Sequence, residues 1–190
     1  MQIRAALQSE QQAVLATLAL AFAEDPPIRY WWPRASEYLY WWPRFALAMG
    51  ERAFDAQSVL VTPNFEGVAM WLPPGVESDP AQVAALDMAS DEEADRIARD
   101  LRTALDRFHP TAPHWYLWTL GVDPRYQARG IGSALLSHTL ACIDQRGETA
   151  YLESSDPKNV PFYERHGFEV LGLIQVHDVP PLTPMSRRPR

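Results

Sequence analysis

The chain has 190 residues, a formal net charge of −7 from 17 Lys and Arg against 24 Asp and Glu, and 47% apolar residues. These values are those of a globular protein and exclude disorder, collagen and coiled coil for the chain as a whole. The acidic excess argues against binding to nucleic acid, and no apolar run reaches the ~18 residues of a membrane span. A single cysteine, Cys142, excludes an intrachain disulfide and fits a reducing compartment. We therefore expect one cytoplasmic domain over residues 1–190.

The first long apolar segment predicts a helix over Glu10–Ala23. Ser9 followed three residues later by Gln12 has the spacing of a capping box, and one face of the predicted helix is apolar, formed by Val14, Leu18 and Phe22. Ala21–Ala23 also resembles a signal-peptidase site, but the polar residues at the start of the segment do not fit a basic leader. We therefore favour a helix of the mature protein.

An aromatic-rich segment follows the prolines at 26 and 27. Tyr30-Trp31-Trp32-Pro33-Arg34 recurs unchanged at Tyr40–Arg44, and two copies are too few for a repeat architecture. We predict a loop and then a helix that continues to about Phe54. Seven aromatic residues lie between positions 30 and 42, more than one helix face can bury, so we expect some of them to line a pocket.

The remaining pattern alternates strands with helices, which is typical of an α/β sheet domain. Ser90 and Glu93 form a second capping box and predict a helix with an apolar stripe. Two further helices are predicted at Gly130–Arg146 and Asn159–His166. The predicted strands are Met1–Ala6, Ser58–Thr62, Gly67–Leu72, Trp115–Val122, Ala150–Ser154, Phe168–Val176 and a short one around Met185.

The segment Gln127-Ala128-Arg129-Gly130-Ile131-Gly132 lies between a predicted strand and a predicted helix. Glycines let the backbone approach a ligand closely, and the N-terminus of the next helix presents free N–H groups suited to phosphate. A dinucleotide fold would need a third glycine where Leu135 stands, and a P-loop would need Gly-Lys-Ser/Thr. Neither pattern is present.

This segment resembles the acyl-CoA-binding motif of the GNAT superfamily of N-acetyltransferases, Gln/Arg-x-x-Gly-x-Gly/Ala. About 30 residues later, Asn159-Val160-Pro161-Phe162-Tyr163-Glu164-Arg165-His166-Gly167-Phe168 resembles a second element of that family. Within the superfamily the chain is most similar to the puromycin N-acetyltransferase-like branch. The resemblance implies a mixed, mostly antiparallel sheet of six to seven strands, flanked by helices and splayed between the fourth and fifth strands.

The resemblance also implies roles for individual residues. Tyr163 would return a proton to the leaving thiolate, and Asn159 would hold the pantetheine arm. Main-chain groups of the fourth strand would pair with the pantetheine, and the loop with the first turn of the helix would cradle the pyrophosphate. Those cofactor-binding residues are Leu120, Gly121, Val122, Gln127, Ala128, Arg129, Gly130, Ile131, Gly132 and Ser133. No metal is implied.

Amine acetylation requires a base, because the acceptor ammonium must lose a proton before it attacks a thioester. Glu153, at the end of a predicted strand beside the splay, is our candidate base, and His114 or a water chain is the alternative. Positive charge at Arg125, Arg129, Lys158 and Arg165 lies in the segments expected to meet the polyanionic cofactor, and salt screens the net acidic charge over about 10 Å.

We therefore expect an acyl-CoA-dependent N-acyltransferase that moves an acetyl group from acetyl-CoA to the amine of a small molecule. The aromatic segment favours an enclosed acceptor pocket, with Trp31, Trp32 and Trp71 as candidate contacts. The alternatives are an acetyltransferase that modifies protein N-termini or lysines, and a non-catalytic CoA-binding regulatory module. We expect no nucleic-acid or membrane partner and a monomer or homodimer.

Overall fold

The computed structural model describes residues 1–86, 88 and 91–190. The described residues form one seven-stranded sheet with the order β1-β2-β3-β4-β5-β7-β6. Every neighbouring pair is antiparallel except β4 and β5, which run parallel. The strands are β1 (Arg4–Ala5), β2 (Val59–Val61), β3 (Gly67–Leu72), β4 (Trp115–Val122), β5 (Ala150–Ser154), β6 (Glu169–Val170) and β7 (Thr183–Arg187). The predicted α/β class and the mixed sheet are confirmed.

Helices cover both faces of the sheet. They are α1 (Gln11–Ala21), α2 (Pro26–Trp31), α3 (Ala35–Asp55), α4 (Pro80–Ala84), α5 (Glu92–Asp106), α6 (Ile131–Arg146) and α7 (Val160–Arg165). Within the described part of the chain, none of them is long and apolar enough to cross a membrane.

Two apolar clusters lie on opposite faces of the sheet. Buried residues of α1 and α3, including Leu18 and Trp42, form one with Val68 and Met70 of β3. On the other face, α6 packs over Trp71 and its neighbours. The two clusters together hold the sheet between its helices, as is usual for a layered α/β domain.

The backbone of β4 comes very close to α1 at Gly121. A Cβ atom there would lie 2.8 Å from the Cβ of Ala21 and 3.0 Å from a methyl of Leu18. The absence of a side chain therefore lets α1 lie directly on β4. This contact fixes the end of α1, and with it the start of the next segment, against the end of β4.

Three local predictions are wrong. Glu10, rather than Gln12, closes the cap, and its carboxylate accepts the N–H of Leu7 at 2.8 Å. The prolines at 26 and 27 begin α2, where we predicted a loop, because Asp25 caps its first turn and accepts the N–H of Ile28 at 3.1 Å. The predicted strand Phe168–Val176 shortens to β6, since after Val170 only a bridge between Ile174 and Leu182 remains.

The other elements agree closely with prediction. Strands β4 and β5 have the predicted bounds, and β7 forms despite Pro184, pairing with β5 on one side and β6 on the other. Helix α5 is capped by Asp91, whose carboxylate accepts the N–H of Ala94. The predicted cap at Ser90 lies outside the described residues, and the apolar stripe of α5 is only partly buried.

Candidate active site

Strands β4 and β5 diverge soon after they begin. Their register contains two pairs, Trp115 with Ala150 and Tyr116 with Tyr151, whereas β4 continues for six more residues paired only with β3. The predicted splay is confirmed. Parallel strands place their carboxyl ends at the same edge of a sheet, and a crevice outside those ends is where α/β sheets bind ligands.

The loop after β4 is shaped by two left-handed residues, Ala128 with φ 58° and Gly130 with φ 78°. Gly130 precedes α6, whose N-terminus has no side-chain cap, and a Cβ atom on Gly130 would meet nothing within 4 Å. The side-chain amide of Gln127 donates to the carbonyl oxygen of Val122 at 3.2 Å, which ties the loop to the end of β4. The first N–H groups of α6 thus have no side-chain cap, and the space beside Gly130 is open, an arrangement that suits an anion.

The basic residues around this loop are not equally available. Arg125 pairs with the buried carboxylate of Asp123 at 3.0 Å, and this contact lowers the pKa of Asp123. Arg129 lies over the ring of Tyr126, 5.2 Å from its centre, and Arg125 lies 5.6 Å from the same ring. Lys158 and Arg165 are exposed in the segment after β5. Of the four predicted cations, Arg125 is thus partly neutralised by its own neighbour.

Glu153 lies on β5 beyond the point of divergence, and its side chain is only 8% exposed. One carboxylate oxygen is 3.8 Å from Nδ1 of His109. His114, the other candidate base, contacts the same histidine, with 3.1 Å between their Nε2 atoms. The structure therefore brings Glu153 and His114 into one cluster and adds His109, which the sequence analysis did not single out.

Two tyrosines complete this cluster. The ring of Tyr151 lies 4.9 Å from that of His109 and 5.9 Å from that of Tyr116. Burial, and then the carboxylate of Glu153, raise the pKa of both phenols, so they stay protonated at neutral pH. Burial likewise lowers the pKa of His114, which favours the neutral imidazole there.

Tyr163, the predicted acid, lies in α7 and packs against the cluster under α6. Burial raises its pKa, and the carboxylate of Asp25 raises it further. Asp25 is itself buried enough for its pKa to be raised, and it accepts a hydrogen bond from Ser155 just after β5. Asp25 therefore lies beside the predicted acid, which the sequence did not indicate, because an acidic residue before two prolines has the pattern of a simple helix boundary.

The three predicted acceptor contacts have different surroundings. Trp31 is partly buried and stacks edge-on with Tyr30, whereas Trp32 is only 7% exposed and packs on Phe45. Trp71 is fully buried in the cluster under α6, on the sheet face opposite α3. The structure therefore does not bring Trp71 to the aromatic segment.

A chain of rings connects the aromatic segment to Glu153. The ring centre of Phe45 lies 5.9 Å from that of Trp32 and 5.6 Å from that of Trp118 in β4. The ring centre of Trp118 lies 6.3 Å from that of Tyr116. Each separation is that of an aromatic contact. Asn159, a predicted cofactor contact, is exposed at the start of α7. Within the described residues, no three His, Cys, Asp or Glu side chains are grouped to hold a metal ion.

Comparison with known proteins agrees with this fold. Residues 88–170 match the family model of the acetyltransferase (GNAT) domain. An uncharacterised N-acetyltransferase of Schizosaccharomyces pombe is 30% identical in an alignment of 149 positions that covers 69% of this chain and 60% of that protein. A second curated relative is matched over 27% of its length. The chain thus spans less than two thirds of the curated relatives it matches.

Many solved structures match, and two examples cover nearly the whole chain. One, described as histone acetyltransferase HPA2 and related acetyltransferase from Corynebacterium glutamicum, has a TM-score of 0.69 and 29% identity and covers 100% of this chain and 96% of that one. Arylalkylamine N-acetyltransferase 2 from Aedes aegypti has the same TM-score at 14% identity, covering 100% and 99%. The second likeness is one of fold alone. This chain is therefore similar to the GNAT acetyltransferase domain over residues 88–170 in sequence, and to solved acetyltransferases over nearly its whole length in fold.

Asp25 gives a prediction that separates function from stability. Because burial raises its pKa above the unfolded value of about 3.9, ionised Asp25 destabilises the folded state at neutral pH. Asp25→Asn keeps an oxygen for the Ile28 cap, so we expect a higher Tm than wild type at pH 7. The difference should vanish below about pH 4, where Asp25 is protonated in both states.

Thermal unfolding followed at a series of pH values measures this effect. Asp106→Asn, at an exposed carboxylate of α5, is the matched control and should leave Tm unchanged. A lower Tm for Asp25→Asn at pH 7 would show that the ionised carboxylate stabilises the fold.

Proposed function

We propose that this chain, as a single domain, transfers an acetyl group from acetyl-CoA to the amine of a small molecule. The observation that carries the proposal is the divergence of β4 and β5. Beyond it lie the uncapped N-terminus of α6, after β4, and the buried carboxylate of Glu153, on β5. One side of the crevice suits a pyrophosphate, and the other holds a group able to accept a proton.

The residues of the loop fit the proposed cosubstrate. The backbone N–H groups from Arg129 to Ser133, beside the open space at Gly130, would cradle the pyrophosphate, with Gln127 and Ala128 holding the loop in shape. The main chain of Leu120–Val122, which β5 leaves unpaired, would bind the pantetheine arm together with Asn159. When bound, acetyl-CoA supplies the acetyl group as an activated thioester.

Glu153 would take the proton of the acceptor ammonium, directly or through water, so that the neutral amine can attack. Tyr163, whose raised pKa keeps it protonated, would give a proton to the departing sulfur. Asp25 is a second candidate base, since its carboxylate influences Tyr163 and bonds Ser155. Backbone N–H groups of the splayed strand would stabilise the negative charge that develops on the carbonyl oxygen.

The acceptor is proposed to be a small amine with an aromatic or apolar body. The support is the chain of rings from Trp32 through Phe45 and Trp118 to Tyr116, which ends at the Glu153 cluster. The similarity in fold to an arylalkylamine N-acetyltransferase agrees with this proposal.

The function is tested by following free CoA release with acetyl-CoA and a panel of arylalkylamines, aliphatic diamines and lysine peptides. The proposal expects turnover with at least one small amine and faster turnover than with any peptide. Preferential acetylation of peptides would favour a protein acetyltransferase. Binding of acetyl-CoA with no turnover on any acceptor would favour a regulatory module.

The loop assignment predicts that Gly130→Asp weakens acetyl-CoA binding by one to several orders of magnitude, because a carboxylate would repel the pyrophosphate. Gly147→Asp is a matched control, since Gly147 also has a positive φ, 66°, and open space around it, but lies at the other end of α6. Calorimetry should show near wild-type affinity for the control only. Unchanged acetyl-CoA affinity in folded Gly130→Asp would show that this loop does not bind the cofactor.

The two tryptophans of the first aromatic repeat should behave differently. Trp31→Ala should raise the acceptor KM and leave acetyl-CoA affinity intact, because Trp31 is only partly buried. Trp32→Ala should mainly lower stability, by about 3–5 kcal/mol, as expected for a core tryptophan. Steady-state kinetics and denaturant unfolding distinguish the two effects. Equal KM increases for both substrates in Trp31→Ala would show that Trp31 has a packing role and does not contact the acceptor specifically.

Glu153 and Tyr163 should act on different protons. Tyr163→Phe keeps the ring but removes the donor, so kcat should fall roughly 10²–10⁴-fold with little change in cofactor affinity. Glu153→Gln should lower kcat/KM most at low pH, where the amine is protonated, and recover as the pH approaches the pKa of the amine. Glu164→Gln, at an exposed position of α7, is the control for charge.

Both profiles come from initial rates measured between pH 6 and 10. A wild-type kcat in Tyr163→Phe would show that Tyr163 is not the general acid. A Glu153→Gln profile parallel to wild type at every pH would transfer the role of base to His114 or Asp25.

A further inference from the structure

His109 connects the buried carboxylate of Glu153 to solvent. It lies between α5 and β4, and its side chain is 37% exposed, whereas that of Glu153 is 8% exposed. Nδ1 of His109 is 3.8 Å from the carboxylate, and its Nε2 is 3.1 Å from Nε2 of His114. One imidazole thus faces the candidate base with one nitrogen and a second histidine with the other.

The contacts of His114 fix where the protons of this array lie. Its Nδ1 is 2.9 Å from the carbonyl oxygen of Ala112, and a carbonyl can only accept, so Nδ1 carries the hydrogen. Nε2 of neutral His114 is then bare and must accept the Nε2–H of His109. Neutral His109 consequently has no hydrogen on Nδ1, the nitrogen that faces Glu153.

The groups packed around His109 do not compete for a proton at Nδ1. Burial raises the pKa of Tyr116 and Tyr151, so both phenols remain protonated, and burial lowers the pKa of His114. The rings of both tyrosines lie within 5.0 Å of the His109 ring and hold its orientation. The described titratable groups that face His109 are therefore Glu153, His114, Tyr116 and Tyr151.

We propose that His109 is the relay that removes the acceptor proton from Glu153 and delivers it to solvent, an inference that rests on the proposed role of Glu153 as base. First an N–H bond of the ammonium breaks and an O–H bond forms on Glu153. Because 3.8 Å exceeds hydrogen-bond reach, that proton then passes through one bridging water to Nδ1 of His109, which restores the carboxylate and forms an imidazolium. The partly exposed imidazolium finally releases its Nδ1 proton to bulk water, so that Nε2 keeps its hydrogen and its bond to His114. His109 acts through Glu153 and is a positioning residue.

The test compares His109→Phe and His109→Ala with wild type on an amine that wild type acetylates. His109→Phe keeps a ring against both tyrosines but cannot carry a proton, and we expect kcat to fall 10- to 10²-fold near pH 7, at the low end of general acid–base effects. Acetyl-CoA affinity should not change. The loss should shrink as the pH rises toward the pKa of the amine.

Imidazole added to the solution should restore activity to His109→Ala in a saturable manner but not to Glu153→Gln, since only the first variant keeps the base. His138→Phe, at an exposed histidine of α6, is the control and should match wild type. A loss that is independent of pH and not rescued by imidazole would give His109 a merely structural role and overturn the relay.

The tautomers provide a readout besides activity. Nitrogen-15 NMR of the protein without ligands should show hydrogens on Nε2 of His109 and Nδ1 of His114 at high pH. A hydrogen on Nδ1 of neutral His109 would overturn the relay whatever the activity. If wild type acetylates no amine, the proposed function fails, and the role of His109 in catalysis fails with it. The NMR measurement still shows, independently of activity, which nitrogens of His109 and His114 carry hydrogens.

Discussion

The divergence of two parallel strands is the constraint on which the site depends. β4 and β5 share two residue pairs, and beyond them each strand pairs only with its outer neighbour, β3 or β7. The backbone of the inner edge of β4 is thus left without a strand partner where a ligand could reach it.

Carboxylates concentrate at this opening although their burial is costly. Glu153 is almost buried beside His109 and two tyrosines, and Asp25 has a raised pKa because of its burial. In a fold selected only for stability, the position of Asp25 would be filled better by a neutral side chain. Departures of this kind from the rules of a stable core are expected at functional sites.

Much of the second half of the chain was predictable because its signals are local. The alternation of Trp115–Val122, the run at Ala150–Ser154 and the glycines that flank α6 specify their elements without distant contacts. The first half was harder. Asp25-Pro26-Pro27 is compatible with a helix end or a helix start, and the buried or exposed side of each aromatic residue in 30–42 depends on where α3 lies on the sheet.

The sequence by itself therefore determined the α/β class, the bounds of β4 and β5, the position of α6 and the glycine loop before it, because each follows from periodicity, glycine positions and helix ends within a short segment. Only the tertiary structure decided that Trp71 lies on the face opposite the aromatic segment, that Asp25 meets Ser155 across 130 positions, and that His109 joins His114 to Glu153. These juxtapositions arise from strand order and helix packing, which bring together side chains that share no local pattern.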